Sequence, residues 1–359
     1  MKKSSSPAIV YVAMSGGVDS SVSAALLQQR GFDVRGVYMN PWRPFGTQCR
    51  ADEDEADARA VARQLNIPFE TWDFSNTYAD KVAAPMIEAY RTGTTPNPAV
   101  GCNSFIKFGD FFKEARKRGA DFIATGHYAR TMKKDGVVYL RRGADPDKDQ
   151  SYFLWATPPD VLPYLLMPVG GMIKKTEVRA AAERAGLVVA KKKDSQGVCF
   201  IGQLDMKGFL KTKIPTTPGD VLDMQGKKVS THDGAAYYTI GQRHGMDIKR
   251  GDGPFFVVAK DMKKNTITVG PDAALYGTEA KVAHLHWFGE VPKAGLPAEA
   301  LAKAGEQLLV QIRYRTSAVP AVLDADGSLH FKKSARAIAP GQSAVFYRGS
   351  RLLGGGIIV

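Results

Sequence analysis

Three short stretches carry residue types and spacings that can do chemistry. The first, Ser15-Gly16-Gly17-Val18-Asp19-Ser20-Ser21, follows the apolar run Ala8 to Met14 and precedes the helix-forming stretch Val22 to Gly31. A continuously apolar, β-branched run suits a strand buried on both faces, and helix formers closing on a glycine suit a helix behind it. The glycines then fall in the strand-to-helix turn. There, backbone N–H groups converge on an anion at the positive end of the helix, and three serines add hydroxyl donors. The chemistry is that of a nucleotide phosphate, so the chain is expected to use ATP. No Lys-Ser or Lys-Thr pair follows the glycines, so this is not a Walker A loop and it brings no lysine of its own to β- and γ-phosphates.

The other two stretches hold cysteines. Cys102 lies in Thr95-Pro96-Asn97-Pro98-Ala99-Val100-Gly101-Cys102-Asn103. Two prolines so close together argue against both helix and central strand, so a loop is expected, ahead of a helix-like stretch from Phe105 whose positive end would favour a thiolate. Cys199 lies in Lys191-Lys192-Lys193-Asp194-Ser195-Gln196-Gly197-Val198-Cys199-Phe200-Ile201-Gly202. The lysines favour a thiolate and attract phosphates, but Val198 to Ile201 reads equally well as a buried strand. The third cysteine, Cys49, acquires no role. Three cysteines without a CxxC pair fit neither a zinc site nor a structural disulfide framework.

These stretches need a scaffold, and strand and helix signals alternate to supply one. Val34 to Met39 and Phe69 to Phe74 read as strands, with a helix from Asp52 to Leu65 between them. Asp110 to Arg118 reads as a helix, Phe122 to Thr125 as a strand ending at Gly126-His127-Tyr128, and Lys175 to Ala185 as a helix closed by Gly186. This is the rhythm of a parallel α/β sheet, whose ligands gather at the carboxyl ends of the strands, where Met39, Gly126 and His127 stand. From Ile214 onward turn signals separate short β-rich stretches such as Tyr237 to Ile240 and Phe255 to Val258. From about Ala280, strands at Leu308 to Tyr314, Val319 to Leu323, Ser343 to Tyr347 and Gly354 to Val359 suggest a small β-barrel, with one helical insert at Pro297 to Ala304. The domain boundaries expected are 1–205, 206–278 and 279–359.

The length of 359 residues suits two or three domains, and 44% hydrophobic with 24% charged residues is the composition of a soluble globular protein. The apolar run after Met1-Lys2-Lys3 is too short for a secretory signal and leads into the glycine loop, and no other run approaches a membrane span. A cytoplasmic protein without a membrane partner is expected. A net charge of +13 points to a polyanionic partner, although solvated lysine faces produce the same excess.

The glycine loop resembles the PP-loop of enzymes that split ATP between its α- and β-phosphates. Further motifs follow along the whole chain: Pro96-Asn97-Pro98 with Cys102 and Asn103, Ala124-Thr125-Gly126-His127-Tyr128-Ala129, and Asp145 through Lys148-Asp149-Gln150 to Leu154. Beyond them come Lys193-Asp194-Ser195 with Cys199-Phe200-Ile201-Gly202, Tyr238-Thr239-Ile240-Gly241-Gln242-Arg243, Arg313-Tyr314-Arg315 and Pro340-Gly341-Gln342-Ser343. Their order and spacing resemble those of the tRNA-specific 2-thiouridylases. The resemblance implies an N-terminal PP-loop, Rossmann-like parallel sheet, a small β-rich central domain and a C-terminal β-barrel.

It also implies an activity: adenylation of O2 of the wobble uridine of tRNA, then replacement of that oxygen by sulfur from a Cys199 persulfide. ATP, with magnesium beside Asp19, tRNA and a sulfur donor (a cysteine desulfurase or relay protein) are the implied partners of a monomeric enzyme. No dedicated metal-ligand set is expected. Ala13, Met14, Ser15, Gly16, Gly17, Val18, Asp19, Ser20, Met39 and Gly126 would contact ATP. Asn97, Pro98 and Ala99 would face the target base, and His127, Lys148, Asp149, Gln150, Arg313, Tyr314 and Gln342 would touch tRNA. Cys102 and Cys199 would be catalytic and close a transient disulfide.

On local sequence alone, His127 reads as a core histidine, and Arg313 and Arg315 as the solvent face of a strand. The family has Asn-Pro-Asp where this chain has Asn97-Pro98-Ala99, so a carboxylate beside the base is missing. That leaves two alternatives standing: another PP-loop ligase or amidotransferase, and a tRNA-binding protein of weakened activity.

Overall fold

The computed structural model describes residues 6–43, 51–193, 206–249, 251, 253–289 and 308–359. The chain divides into two units, the first formed by residues up to 82, from 98 to 204 and at 350–352, the second by the remainder. The first unit holds the expected α/β sheet. Strands β1 (Ile9–Ala13), β2 (Asp33–Asn40), β3 (Phe69–Asp73), β4 (Phe122–Ala124) and β7 (Leu165–Leu166) lie in the order β3-β2-β1-β4-β7, and every pairing is parallel. Val10, Val12 and Val34 from the strands, with Met14 just past β1, pack with Val18, Val22 and Leu27 of helix α1 (Val18–Gln29) in one apolar cluster. Helix α2 (Ala51–Gln64) adds Ala58 and Val61 to that core.

Chain order reverses between β1 and β4, since β2 and β3 lie on one side of β1 while β4 and β7 lie on the other. A crevice opens at such a point beyond the carboxyl ends of the strands. The loops after β1 and β4 border it. Between β4 and β7 the chain makes a hairpin, β5 (Ala129–Lys134) and β6 (Val137–Arg142), around Asp135-Gly136. Both turn residues have positive φ, at 51° and 79°, the requirement of a two-residue hairpin turn.

Two boundaries in this unit differ from expectation, and both touch the site. Helix α1 begins at Val18 rather than Val22, so Asp19, Ser20 and Ser21 lie in its first turn. The expected loop around Cys102 is helical from Pro98 onward: an α-turn at Pro98–Gly101 continues as a π-helical stretch, Cys102–Asp110, and then as an α-helix, Phe111–Lys117. Pro98 is the first residue of that run, where the missing N–H costs nothing because first-turn donors have no intrahelical partner.

The second unit contains a mixed four-stranded sheet and a barrel. Strands β8 (Gly219–Leu222), β9 (Lys228–His232), β10 (Phe256–Asp261) and β11 (Thr266–Gly270) are ordered β10-β11-β8-β9. Tyr237 to Ile240, expected as a β-rich stretch, instead begins in a short 3-10 turn at Ala235–Tyr237 and forms no strand. Its backbone is held by side chains: Lys260 Nζ donates to the Tyr238 carbonyl at 2.8 Å, and the Thr239 N–H donates to Gln242 Oε1 at 3.1 Å. Strands β12 (Tyr276–Trp287), β13 (Leu309–Gln311), β14 (Val319–Leu323), β15 (Ser328–Arg336), β16 (Ser343–Arg348) and β17 (Arg351–Ile358) follow the order β12-β15-β14-β13-β16-β17, and a β12–β17 pairing closes the ring. Val310, Leu329, Ala344 and Phe346 fill its interior.

Asp233 tethers the central sheet to the helix Met206–Lys213. Its carboxylate pairs with Lys207 at 2.9 Å and Lys211 at 2.6 Å and accepts a bond from Tyr238 at 3.1 Å. Burial pushes its carboxyl up, but the two lysine bonds outweigh this and hold it well below the usual carboxylate range. A depressed folded-state pKa contributes stability that is present above the unfolded value and lost as pH falls through the folded one. Asp233→Asn is therefore expected to cost about 1 kcal/mol at pH 7, a modest value because the side chain is about a third exposed. The gap from wild type should begin to shrink below about pH 5 and go on closing as pH falls toward the depressed folded-state value, as read from denaturation midpoints. A pH-independent gap would contradict the ion-pair account.

Candidate nucleotide and sulfur-transfer site

Glycine and serine shape the loop after β1. Gly16 has φ +71°, and a Cβ there would lie 2.1 Å from the Asp54 carbonyl oxygen of α2, so only glycine fits. Gly17 caps α1 without any side-chain bond to the helix, leaving the first-turn N–H groups aimed into the crevice. The serines brace the turn. The Ser15 N–H donates to Ser20 Oγ at 3.1 Å, and the Ser21 hydroxyl donates to the Gly17 carbonyl at 2.9 Å. From the other side of the crevice Gly126 approaches so closely that a Cβ would sit 2.7 Å from the Ser20 nitrogen. Met39 lies at the carboxyl end of β2, opposite Trp72 of β3. Ala13 to Ser20, Met39 and Gly126, the expected ATP contacts, thus line the carboxyl end of a single sheet.

Lysine is present after all, from a distant part of the chain. Lys174, 3% exposed, pairs through its ammonium with Asp19 Oδ1, and the Tyr128 hydroxyl donates to the same oxygen at 2.6 Å. Asp145 sets this lysine in place: one carboxylate oxygen accepts the Lys174 N–H at 2.8 Å, and the other accepts the Asp147 N–H at 3.0 Å. A motif scan along the sequence has no means of finding Lys174, because the partners lie 155 residues apart. The conjunction of a buried cation with the loop's helix N-terminus is the electrostatics of a polyphosphate site.

Asp19 keeps 33% of its side chain exposed. Among the described residues no group of three or more His, Cys, Asp or Glu side chains is placed to hold a metal ion. One carboxylate at a phosphate loop suits a magnesium ion that arrives with its nucleotide and keeps most of its waters.

The cysteine helix lies in the same unit. Cys102 is fully buried, and Ala99 and Pro98 sit half-buried in the turn before it. Asn103 donates to the Phe153 carbonyl at 3.0 Å and accepts from Lys107 at 3.0 Å. Burial and the nearby Lys107 charge push the His127 imidazole well below its ordinary range, so it is neutral at pH 7. Its Nδ1 shares a 2.8 Å hydrogen bond with Thr125 Oγ1, and its ring packs on Phe108 with centroids 5.8 Å apart. Cys199 and Cys49 lie outside the described residues.

Several residues expected at the tRNA have their polar atoms engaged inside the protein. Asp149 accepts from Arg142 at 2.8 Å, from the Gly143 N–H at 2.9 Å and from the Ser151 hydroxyl at 3.0 Å. Gln150 Oε1 accepts the Tyr128 N–H at 3.0 Å, and the Gln150 N–H donates back to the Tyr128 carbonyl at 2.8 Å. Lys148, just before them in the chain, is half-buried.

In the second unit, Gln342 Nε2 donates to the Thr95 carbonyl at 2.7 Å, and the Thr95 N–H donates to the Pro340 carbonyl at 2.9 Å. The Thr95 hydroxyl meets that of Thr239 at 3.2 Å. Thr95 is thus stapled to two of the quoted motifs, two residues ahead of Asn97. Arg313 and Tyr314 do not continue a strand: β13 stops at Gln311, and Arg313 opens a turn whose carbonyl accepts from the Thr316 hydroxyl at 2.7 Å. Arg315, at φ +61°, folds over the Tyr314 ring at 5.3 Å.

Residues 8–203 match the family model described as the tRNA methyl transferase HUP domain. Residues 207–271 match the tRNA methyl transferase PRC-barrel domain, and 277–358 the aminomethyltransferase β-barrel domain. A protein described as tRNA-specific 2-thiouridylase MnmA from Thermus thermophilus is 43% identical over 97% of this chain and 94% of its own length. The chain belongs to the tRNA-specific 2-thiouridylases. MnmA proteins from Enterococcus faecalis and Pseudomonas paraeruginosa, at 44% and 45% identity, match over the same shares of each chain.

Membership places this 2-thiouridylase among the PP-loop enzymes, and the geometry after β1 agrees with that loop's use of ATP. Among the described residues no helix is long and apolar enough to cross a membrane. Ala99, at the start of the cysteine helix, stands where the resemblance leads one to expect aspartate.

Proposed function

We propose that this 2-thiouridylase is a tRNA-uridine 2-sulfurtransferase of the cytoplasm that converts the wobble uridine to 2-thiouridine, with AMP and pyrophosphate as the other products. The observation that supports it most is the buried Lys174–Asp19 pair at the N-terminus of α1, in a chain whose relatives carry that name.

The C2 carbonyl of uracil is urea-like and a poor electrophile. In the proposed reaction O2 attacks the α-phosphorus of ATP, and the bond from that phosphorus to the bridging oxygen breaks. Pyrophosphate leaves into the cradle of Gly16, Gly17 and the first-turn N–H groups of α1, with Lys174 opposing its charge. Asp19 would hold magnesium, which when bound supplies further neutralisation of the phosphates. The terminal sulfur of a Cys199 persulfide then forms a bond to C2, and AMP leaves with the former O2. Cys102 attacks Cys199 Sγ; the Cys102–Cys199 disulfide forms as the sulfur–sulfur bond to the base breaks and its electrons complete C2=S. An external dithiol resets the enzyme, and a cysteine desulfurase or relay protein reloads it.

The site residues take different parts in this reading. Asn97, Pro98 and Ala99 face the base in this reading, and Lys148, Arg313 and Tyr314 suit phosphate contact and base stacking. Asp149, Gln150 and Gln342 serve tRNA by holding backbone in place, and His127 by bracing the Thr125 hydroxyl. A wobble base is already partly unstacked, so drawing it into a pocket costs less than flipping one from a duplex.

Mass spectrometry of tRNA nucleosides after incubation with ATP and a persulfide source tests the assignment, and absence of 2-thiouridine under well-loaded conditions overturns it. Ala99 yields a separate prediction. Ala99→Asp, on a half-buried first-turn position where a carboxylate suits the helix dipole, is expected to preserve or raise turnover. A sharp loss would show that the site has been rebuilt around alanine.

A further inference from the structure

Lys192 stands apart from the lysines flanking it. Its ammonium donates to three oxygens: the Gly16 carbonyl at 3.0 Å, Asp54 Oδ1 at 2.6 Å and Asp57 Oδ2 at 2.5 Å. Burial works against its charge, but the bonds to the two carboxylates outweigh that and raise its pKa, so the ammonium is permanent at physiological pH. The backbone around it is fixed as well, because Arg179 Nη1 donates to the carbonyls of Ala190 at 2.6 Å and Lys192 at 2.7 Å.

The bond to Gly16 has a geometric consequence. In a trans peptide the C=O and the following N–H point in opposite directions. Drawing the Gly16 carbonyl toward α2 therefore turns the Gly17 N–H away from α2, to the side on which the first-turn amides of α1 open. Gly16 at φ +71° makes the sharp turn, and Gly17, extended at φ −95° and ψ 164°, leads from it into the first turn of α1. A cation on the carbonyl also polarises that peptide and strengthens its N–H as a donor.

We infer that Lys192 is a positioning residue for the nucleotide loop, held by Asp54 and Asp57 and acting through the Gly16 carbonyl to aim the Gly17 N–H at the pyrophosphate end of ATP. This rests on the reading of Ser15 to Ser21 as the pyrophosphate loop.

Lys192→Met is expected to raise the KM for ATP about tenfold, as loss of one charge-assisted bond does. Turnover at saturating ATP should stay within about threefold, because the residue touches neither base nor cysteine. Lys192→Arg should recover most of the KM. The triple variant Lys192→Met/Asp54→Asn/Asp57→Asn decides between positioning and simple charge. It removes the carboxylates that Lys192→Met leaves uncompensated beside the loop, so restored ATP affinity would overturn the inference, and continued weakness supports it.

An unchanged KM in folded Lys192→Met also overturns it. Should that variant fail to fold, Asp57→Asn carries the same test, with a KM raised about two- to threefold expected and an unchanged KM counting against the inference. Wild-type enzyme that releases no pyrophosphate with ATP and tRNA would overturn the loop reading itself, a result distinct from a wild-type enzyme that turns over normally beside an unaffected Lys192→Met.

Discussion

Lys174→Met is expected to lower ATP-dependent pyrophosphate release by about 10²- to 10³-fold, the usual cost of removing a preorganised donor from developing charge. The argument is positional. Lys174 is almost wholly buried, it is tied to Asp19 in the first turn of α1, and its own backbone is fixed by Asp145. In the proposed reaction such an ammonium would oppose charge on the leaving group without any reorganisation.

The same variant also breaks an ion pair, which is expected to cost roughly 3 kcal/mol, the low end for a buried pair because Asp19 retains solvent. The double variant Lys174→Met/Asp19→Asn separates the two effects. Removing the stranded carboxylate should return most of the thermal stability. Turnover should stay low and fall well below that of the single variant Asp19→Asn, which lacks the proposed magnesium ligand but keeps the cation. Turnover equal to that of Asp19→Asn, with stability restored, would reduce Lys174 to a structural role.

What the sequence made legible follows from where partners lie along the chain. The phosphate loop was readable because Ser15 to Ser21 is contiguous and flanked by strand and helix signals. Lys174 and Lys192 were not, since their partners are more than a hundred residues away and only the parallel sheet brings them together. The sheet itself and the closed barrel were readable as fold class, because alternation and periodicity are local properties.

Boundaries were less so. Pro98 read as a helix breaker, yet at the first helical position its missing donor is irrelevant, and Cys102 consequently lies inside a helix rather than ahead of one. The alternation at Arg313 and Arg315 looked like a strand, but the strand ends two residues earlier and a left-handed residue follows. The motif residues expected at the tRNA are ambiguous by type. Residue type at Asp149, Gln150 and Gln342 is equally suited to binding RNA and to bonding the protein's own backbone, and only coordinates reveal the second.

The two cysteines are expected to fail in different ways, and the difference fixes the order of bond-making. Cys199→Ser should abolish 2-thiouridine formation, because a serine oxygen carries no transferable sulfur. Adenylation does not use that thiol, so a burst of pyrophosphate approaching one equivalent per enzyme should persist, and tRNA affinity should stay within about threefold. Full thiolation by this variant would end the persulfide assignment.

Cys102→Ser leaves Cys199 able to take up the donor's sulfur, visible as one added sulfur atom in the intact mass. If the persulfide attacks C2 directly, nothing then cleaves the bond between Cys199 and the new sulfur, and a tRNA–enzyme adduct should accumulate and be released by dithiol. If Cys102 instead acts first, expelling sulfide from the persulfide as the nucleophile, the variant should show loaded Cys199, adenylated tRNA and no adduct. Cys102 is fully buried, and on either route its sulfur has to meet that of Cys199 before the disulfide can form. Alkylation of Cys102 should be slow in the protein alone and accelerate if ATP and tRNA expose it; equal rates in both states would mean that the catalytic cycle does not expose this thiol.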